Sequence, residues 1–89
     1  MALFKLGSIV ATPGALQFCD AHKVNPLLLL GRHVGGDWGE LDAHDTAANV
    51  HALQHDLRIF SSYAIGSDKV WVITEADRSS TCLLLPSEY

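Results

Sequence analysis

An α+β fold, with helices packed on one face of an antiparallel four-stranded sheet in the order β-α-α-α-β-β-β, is what this sequence predicts. Three observations carry the expectation. The last third, residues 58–89, holds three short apolar runs, RIFSSYAI, KVWVITEA and STCLLLP, separated by turn formers. Thr12-Pro13 and Asn25-Pro26 each open an apolar stretch in the way a capping side chain and a first-turn proline open a helix. Residues 42–56 space their apolar side chains by three and four, the repeat of one helix face.

In chain order, residues 3–11 come first and read as a strand that joins the C-terminal meander. Phe4, Leu6 and Val10 fall on one of its sides and Leu3 and Ile9 on the other, while Lys5, Gly7 and Ser8 mark it as an edge or half-exposed strand. Residues 13–23 follow as a short helix, capped by Thr12, with Ala15, Leu16, Phe18, Cys19 and Ala21 on its apolar side. A second helix covers residues 26–34. Its four consecutive leucines wrap most of the circumference, which predicts the most buried helix of the three. Gly35-Gly36 stops it.

Asp37-Trp38-Gly39-Glu40 is a loop, with Trp38 either covering a core edge or standing out as an interface anchor. The third helix, residues 42–56, starts on the carboxylates of Asp42 and Asp45, which suit amide donors and the positive end of the helix dipole. Its core face is predicted to be Ala43, Ala47, Val50, Leu53 and Leu57. The meander then runs through residues 58–65, 69–76 and 81–85. Val70 to Thr74, β-branched and aromatic throughout, form its central strand, and Gly66-Ser67-Asp68 and Asp77-Arg78-Ser79-Ser80 form its turns.

Length and composition narrow the function. The 89 residues, 48% of them hydrophobic, fit a single domain spanning residues 1–89. A net charge of −4 disfavours direct binding to nucleic acid or anionic lipid, which needs a basic footprint. Cys19 and Cys82 show no metal-ligand spacing and read as reduced thiols. The N-terminal stretch lacks the pattern of a signal peptide, and the longest apolar run, residues 27–30, is far short of the ~20 residues that span a bilayer. These features point to a cytoplasmic protein with no membrane partner and no cofactor.

Three constellations bear on chemistry. His44, His51 and His55 share one side of the third helix, and His51 and His55 have a spacing that can chelate a metal. That side lies opposite the predicted core face, so a solvated polar stripe is the expectation and no metal is assigned. Glu75, Asp77 and Ser79 gather carboxylates and a hydroxyl in one turn, which a small hydrolase-like enzyme could use. Turn sequences collect the same residues for backbone reasons alone. The first two helices form a short helix-turn-helix, in which Arg32 and His33 would read DNA.

ATPGAL, RHVGGDWGELDAHD and WVITEADRSSTCLLLPSEY together resemble a family of short bacterial proteins encoded on plasmids and integrative elements. The resemblance covers nearly the whole chain and implies no transferable activity. Carriage on a mobile element implies an accessory factor or an inhibitor of a host defence complex, of the anti-CRISPR or anti-restriction type. Such a partner is a nucleic-acid-binding protein with a basic channel, which an acidic surface can occupy. The expected surface is Asp37, Glu40, Asp42, Asp45, Glu75 and Asp77, with Trp38 and Arg78 as anchors. A DNA-associated regulator is the alternative, and the turn-based enzyme is third. An unpaired edge on the first or last strand would allow a two-fold homodimer.

Overall fold

The computed structural model describes residues 2–89. Strand β1 (Ser8–Ala11) is followed by helices α1 (Pro13–Ala21), α2 (Pro26–Val34) and α3 (Ala43–His55). Strands β2 (Ile59–Ile65), β3 (Asp68–Thr74) and β4 (Ser80–Leu84) complete the sheet, and a single 3-10 turn, Pro86–Glu88, ends the chain. The predicted α+β order holds.

The helix starts follow the capping chemistry of the sequence. The Thr12 hydroxyl accepts from the Ala15 amide at 3.0 Å, Asn25 Oδ1 from Leu27 at 3.0 Å, and Asp42 Oδ1 from Asp45 at 2.8 Å. Each cap satisfies one of the amide donors that a helix leaves free in its first turn. Thr12 also donates to Glu88 Oε1 at 2.6 Å, and that carboxylate accepts from the Leu85 amide, so the last turn is tied back to the start of α1.

The sheet is mixed, where the sequence predicts a purely antiparallel one. The strand order is β1-β4-β3-β2, with β1 parallel to β4 and the other two pairings antiparallel. The reason lies in the crossover. From the Ala11 end of β1, α2 brings the chain back to the Ser8 end, where Leu3 donates to the Val34 carbonyl at 2.8 Å. Residues 38–40 then climb beside β2 in its own direction, through a parallel bridge between Gly39 and Ser62. Helix α3 descends again, so β2 starts at the same end as β1, and after one more reversal β4 runs the same way.

Strand β1 is also shorter than predicted. Gly7, at φ +66°, turns the chain just before Ser8, and residues 3–6 leave the strand direction. Phe4 joins a small core of Trp38, Ala52 and Ile59, while Leu6 packs on the main core.

That main core lies between the helices and one face of the sheet. Ala15 and Cys19 of α1 and Leu29 and Leu30 of α2 meet Tyr63, Val70, Val72 and Leu83. Because strand side chains alternate, the residues between these point to the opposite face.

Helix α3 departs from its predicted orientation. Asn49 and Ala52 are its buried residues, whereas Val50 and Leu57 are half exposed, so the inward face is turned by about 130° from the Ala43/Ala47/Val50/Leu53/Leu57 side. Asn49 supplies the reason. Its Nδ2 donates to the Phe60 carbonyl at 2.6 Å and its Oδ1 accepts from the Phe60 amide at 3.0 Å, so one side chain stands in for a neighbouring strand.

Candidate binding face

The sheet face turned away from the helices is lined by aromatic and apolar side chains. Across the strands, Phe60 is paired with Ile73, Ile73 with Cys82 and Cys82 with Val10, and in the next row Ser62 is paired with Trp71 and Trp71 with Leu84. The C-terminal turn brings Tyr89 over this surface. Phe60 meets Trp71 edge-on with ring centroids 5.0 Å apart, and Trp71 meets Tyr89 in the same manner at 5.7 Å. The Arg58 guanidinium lies 5.6 Å from the Tyr89 ring centroid.

Arg58, Phe60, Trp71, Ile73 and Tyr89 together enclose a depression of about 190 Å³. A wider cleft of about 460 Å³ opens at the β2–β3 hairpin, with Phe18, Leu85 and Pro86 as its apolar walls and Lys69 and Ser87 among its polar ones. Lys69 lies two residues before Trp71 and therefore on the same side of β3. Ring faces, ring edges and two cations on one surface suit apolar side chains and carboxylates of a partner. Tryptophan, tyrosine and arginine are the types that dominate binding hot spots.

Sequence reading missed this face. The run Val70 to Thr74 looks buried on both sides, but Val70 and Val72 are fully buried while Trp71 is only partly so. The run Val-Trp-Val-Ile-Thr has no polar alternation, so it holds no sign of which side stays open. Arg58 and Tyr89 are brought to Trp71 by topology, which no local pattern records.

The residues predicted for an acidic interface do not form one patch. Asp42 and Asp45 sit at the N-terminus of α3. Glu75 and Asp77 lie beyond its other end, ~20 Å away by helix length. Asp37 is exposed but already paired within the chain, with Arg32 at 2.7 Å and 3.3 Å, and it accepts from the Gly39 amide. The Arg32 contact, first, holds the Asp37 carboxyl below its ordinary range. The Asp37 carbonyl accepts from the Tyr63 hydroxyl at 2.7 Å, and burial pushes that phenol up to about 12. Glu40 is exposed, with its amide on the Ser62 carbonyl.

Neither proposed anchor is free. Trp38 is only 9% exposed and packs against Phe4 and His33, so it is a core residue. Gly39, at φ +74°, lets the loop pass so close to β2 that a Cβ there would overlap the Ser62 carbonyl. Arg78 donates to the carbonyls of Ala52, Leu57, Glu75 and Ala76, and thereby clamps the end of α3 to the β3–β4 turn.

His44, His51 and His55 are exposed, as predicted. His51 and His55 stack with centroids 4.1 Å apart, and among the described residues no three or more His, Cys, Asp or Glu side chains gather so as to hold a metal ion. In the 75–79 turn, Asp77 Oδ1 accepts from the Ser79 amide at 2.9 Å, the local bond of an Asx turn. The helix-turn-helix reading loses its reading head, because Arg32 is engaged by Asp37 and stacked 4.5 Å over Tyr63, and His33 is fully buried.

His33 has the contacts of a catalytic base without access to a substrate. Its Nδ1 lies 2.6 Å from Ser61 Oγ and its Nε2 lies 2.9 Å from Thr74 Oγ1, which is 2.7 Å from Thr81 Oγ1. Thr81 donates to the Leu6 carbonyl at 2.7 Å, which orders the remaining protons. Thr74 must then donate to Thr81, His33 Nε2–H to Thr74, and the Ser61 hydroxyl to His33 Nδ1. All four side chains are fully buried, and burial lowers the His33 pKa to about 4. The chain of bonds is the polar centre of the core. Searches against protein families, curated proteins and solved structures return no match for this chain.

Proposed function

We propose that the protein is a non-enzymatic interaction domain that grips a partner protein through the open sheet face. The observation that carries this reading is the convergence of Phe60, Trp71 and Tyr89 with Arg58 on the sheet face opposite helices α1, α2 and α3. The partner surface presents apolar side chains flanked by carboxylates, which Arg58 and Lys69 meet. A role as an inhibitor or accessory subunit of a host defence complex is the finer form of the proposal. It is supported by the resemblance to proteins of mobile elements and by the net charge of −4. Electrostatic mimicry by the acidic residues is the weaker version, since the structure spreads them over opposite ends of α3. No helix among the described residues is long and apolar enough to cross a membrane.

Arg58 and Tyr89 are both exposed, so the double variant Arg58→Ala/Tyr89→Ala keeps its stability within about 0.5–1 kcal/mol of the parent. Affinity capture from bacterial lysate, with mass spectrometry and a salt series, should recover a partner with the parent chain and lose it with the double variant. Equal recovery by both chains contradicts the assignment of the face.

A further inference from the structure

We propose that two copies of this chain pair β1 against β1 across a two-fold axis, joining their sheets into one of eight strands. The inference uses the sheet edge and does not rest on the function proposed above.

The two edges of the sheet are finished differently. On the β2 edge, the outward groups of Phe60 are taken by the Asn49 side chain, and those of Ser62 by the Trp38 carbonyl at 3.0 Å and the Glu40 amide at 2.6 Å. On the β1 edge the register turns Ser8 and Thr12 inward, with their amides on the Ser79 and Leu83 carbonyls at 3.0 Å each. In a parallel pair alternate residues bond to the same neighbour, so Val10 also faces β4 and the N–H and C=O groups of Ile9 and Ala11 face outward. Ile9 and Val10 are 52% and 49% exposed. Within Ser8–Ala11 there is no charge, no proline and no bulge, three of the devices that keep an edge from pairing, so its four-residue length is what limits the pairing to a short ladder.

The occupant that these groups fit is a second copy. In an antiparallel pair centred on Val10, Ile9 lies opposite Ala11 of the second copy and Ala11 opposite its Ile9. Both are hydrogen-bonded positions, so the outward groups of both strands are satisfied by four bonds. The side chains match as well. A large Ile9 meets a small Ala11 on the helix side, and Val10 meets Val10 of the second copy on the open face. That last contact extends the row Phe60, Ile73, Cys82, Val10 into its symmetric copy. An axis perpendicular to the sheet leaves both open faces on one side. An uncharged strand carries no code for a foreign partner, whereas self-complementarity needs none.

Sedimentation velocity of the full chain, from about 5 µM to about 500 µM, a span that brackets modest affinities, tests this. The parent chain should move from the 9.6 kDa monomer towards twice that mass. Ile9→Pro removes an N–H that β1 does not give to β4, and edge strands accept proline, so this variant should stay folded and monomeric. Val10→Asp sets two carboxylates against each other at the axis and should also be monomeric, which keeps the test decisive if the proline variant fails to fold. A parent chain that is monomeric throughout, including one that pairs only with a foreign strand, overturns the proposal, as does undiminished dimerisation of Val10→Asp. Arg58→Ala/Tyr89→Ala should dimerise like the parent, which separates failure here from failure of the binding face.

Discussion

Asn49→Leu is expected to lower the free energy of unfolding by about 2–4 kcal/mol, although it replaces a polar residue on an inward helix face with an apolar one. The Phe60 amide and carbonyl would both lose their partner, and an unmet backbone group away from water costs about 1–3 kcal/mol. Asn49 is buried, so little water can take its place. Against a total of about 5–15 kcal/mol for a domain, the loss is a large fraction. Urea denaturation gives the check: the midpoint should fall while the slope is kept. A midpoint equal to the parent's would mean that the pairing with Phe60 contributes nothing.

Acid should destabilise the protein well above the range where carboxylates titrate. His33 has a folded pKa of about 4 against an ordinary 6.5, because its charged form cannot be solvated in the core. The unfolded chain therefore binds the proton first as the pH falls. The contribution is complete above 6.5 and is lost progressively down to about 4, to a total of about 3 kcal/mol. Asp37, Asp77 and Glu88 have depressed carboxyl pKa values, so their contributions are present above the ordinary carboxylate range and disappear at lower pH than most of the histidine effect. Unfolding free energy measured from pH 7.5 to 4 should slope in the parent chain. His33→Gln, less stable at neutral pH, should be nearly flat between 6.5 and 5. Equal slopes in the two proteins would remove His33 as the cause.

Much of this architecture was legible because it is local. Thr12, Asn25 and Asp42 cap helices with the side chains that their positions predict, and α2 has the predicted bounds, residues 26–34. What was not legible depends on partners distant in sequence. Asn49 looks like an exposed helix residue until Phe60, an outward-facing strand residue, needs a hydrogen-bond partner. His33 looks like a surface base until Ser61, Thr74 and Thr81 surround it. The parallel sense of β1 follows from a loop climbing beside β2, and nothing in SIVA encodes that. For the site, Trp38 and Arg78 had the residue types of anchors, yet their chemistry is consumed inside the fold. Trp71, in a strand read as buried, is the aromatic that remains available.

If the protein binds as proposed, partners meet the sheet face and not the helices. Amide chemical-shift mapping of the labelled chain with its captured partner tests it most directly. Perturbation should be confined to Arg58–Phe60, Lys69–Ile73 and the segment ending at Tyr89. Shifts centred on His44, His51 and His55, with that segment silent, would contradict it.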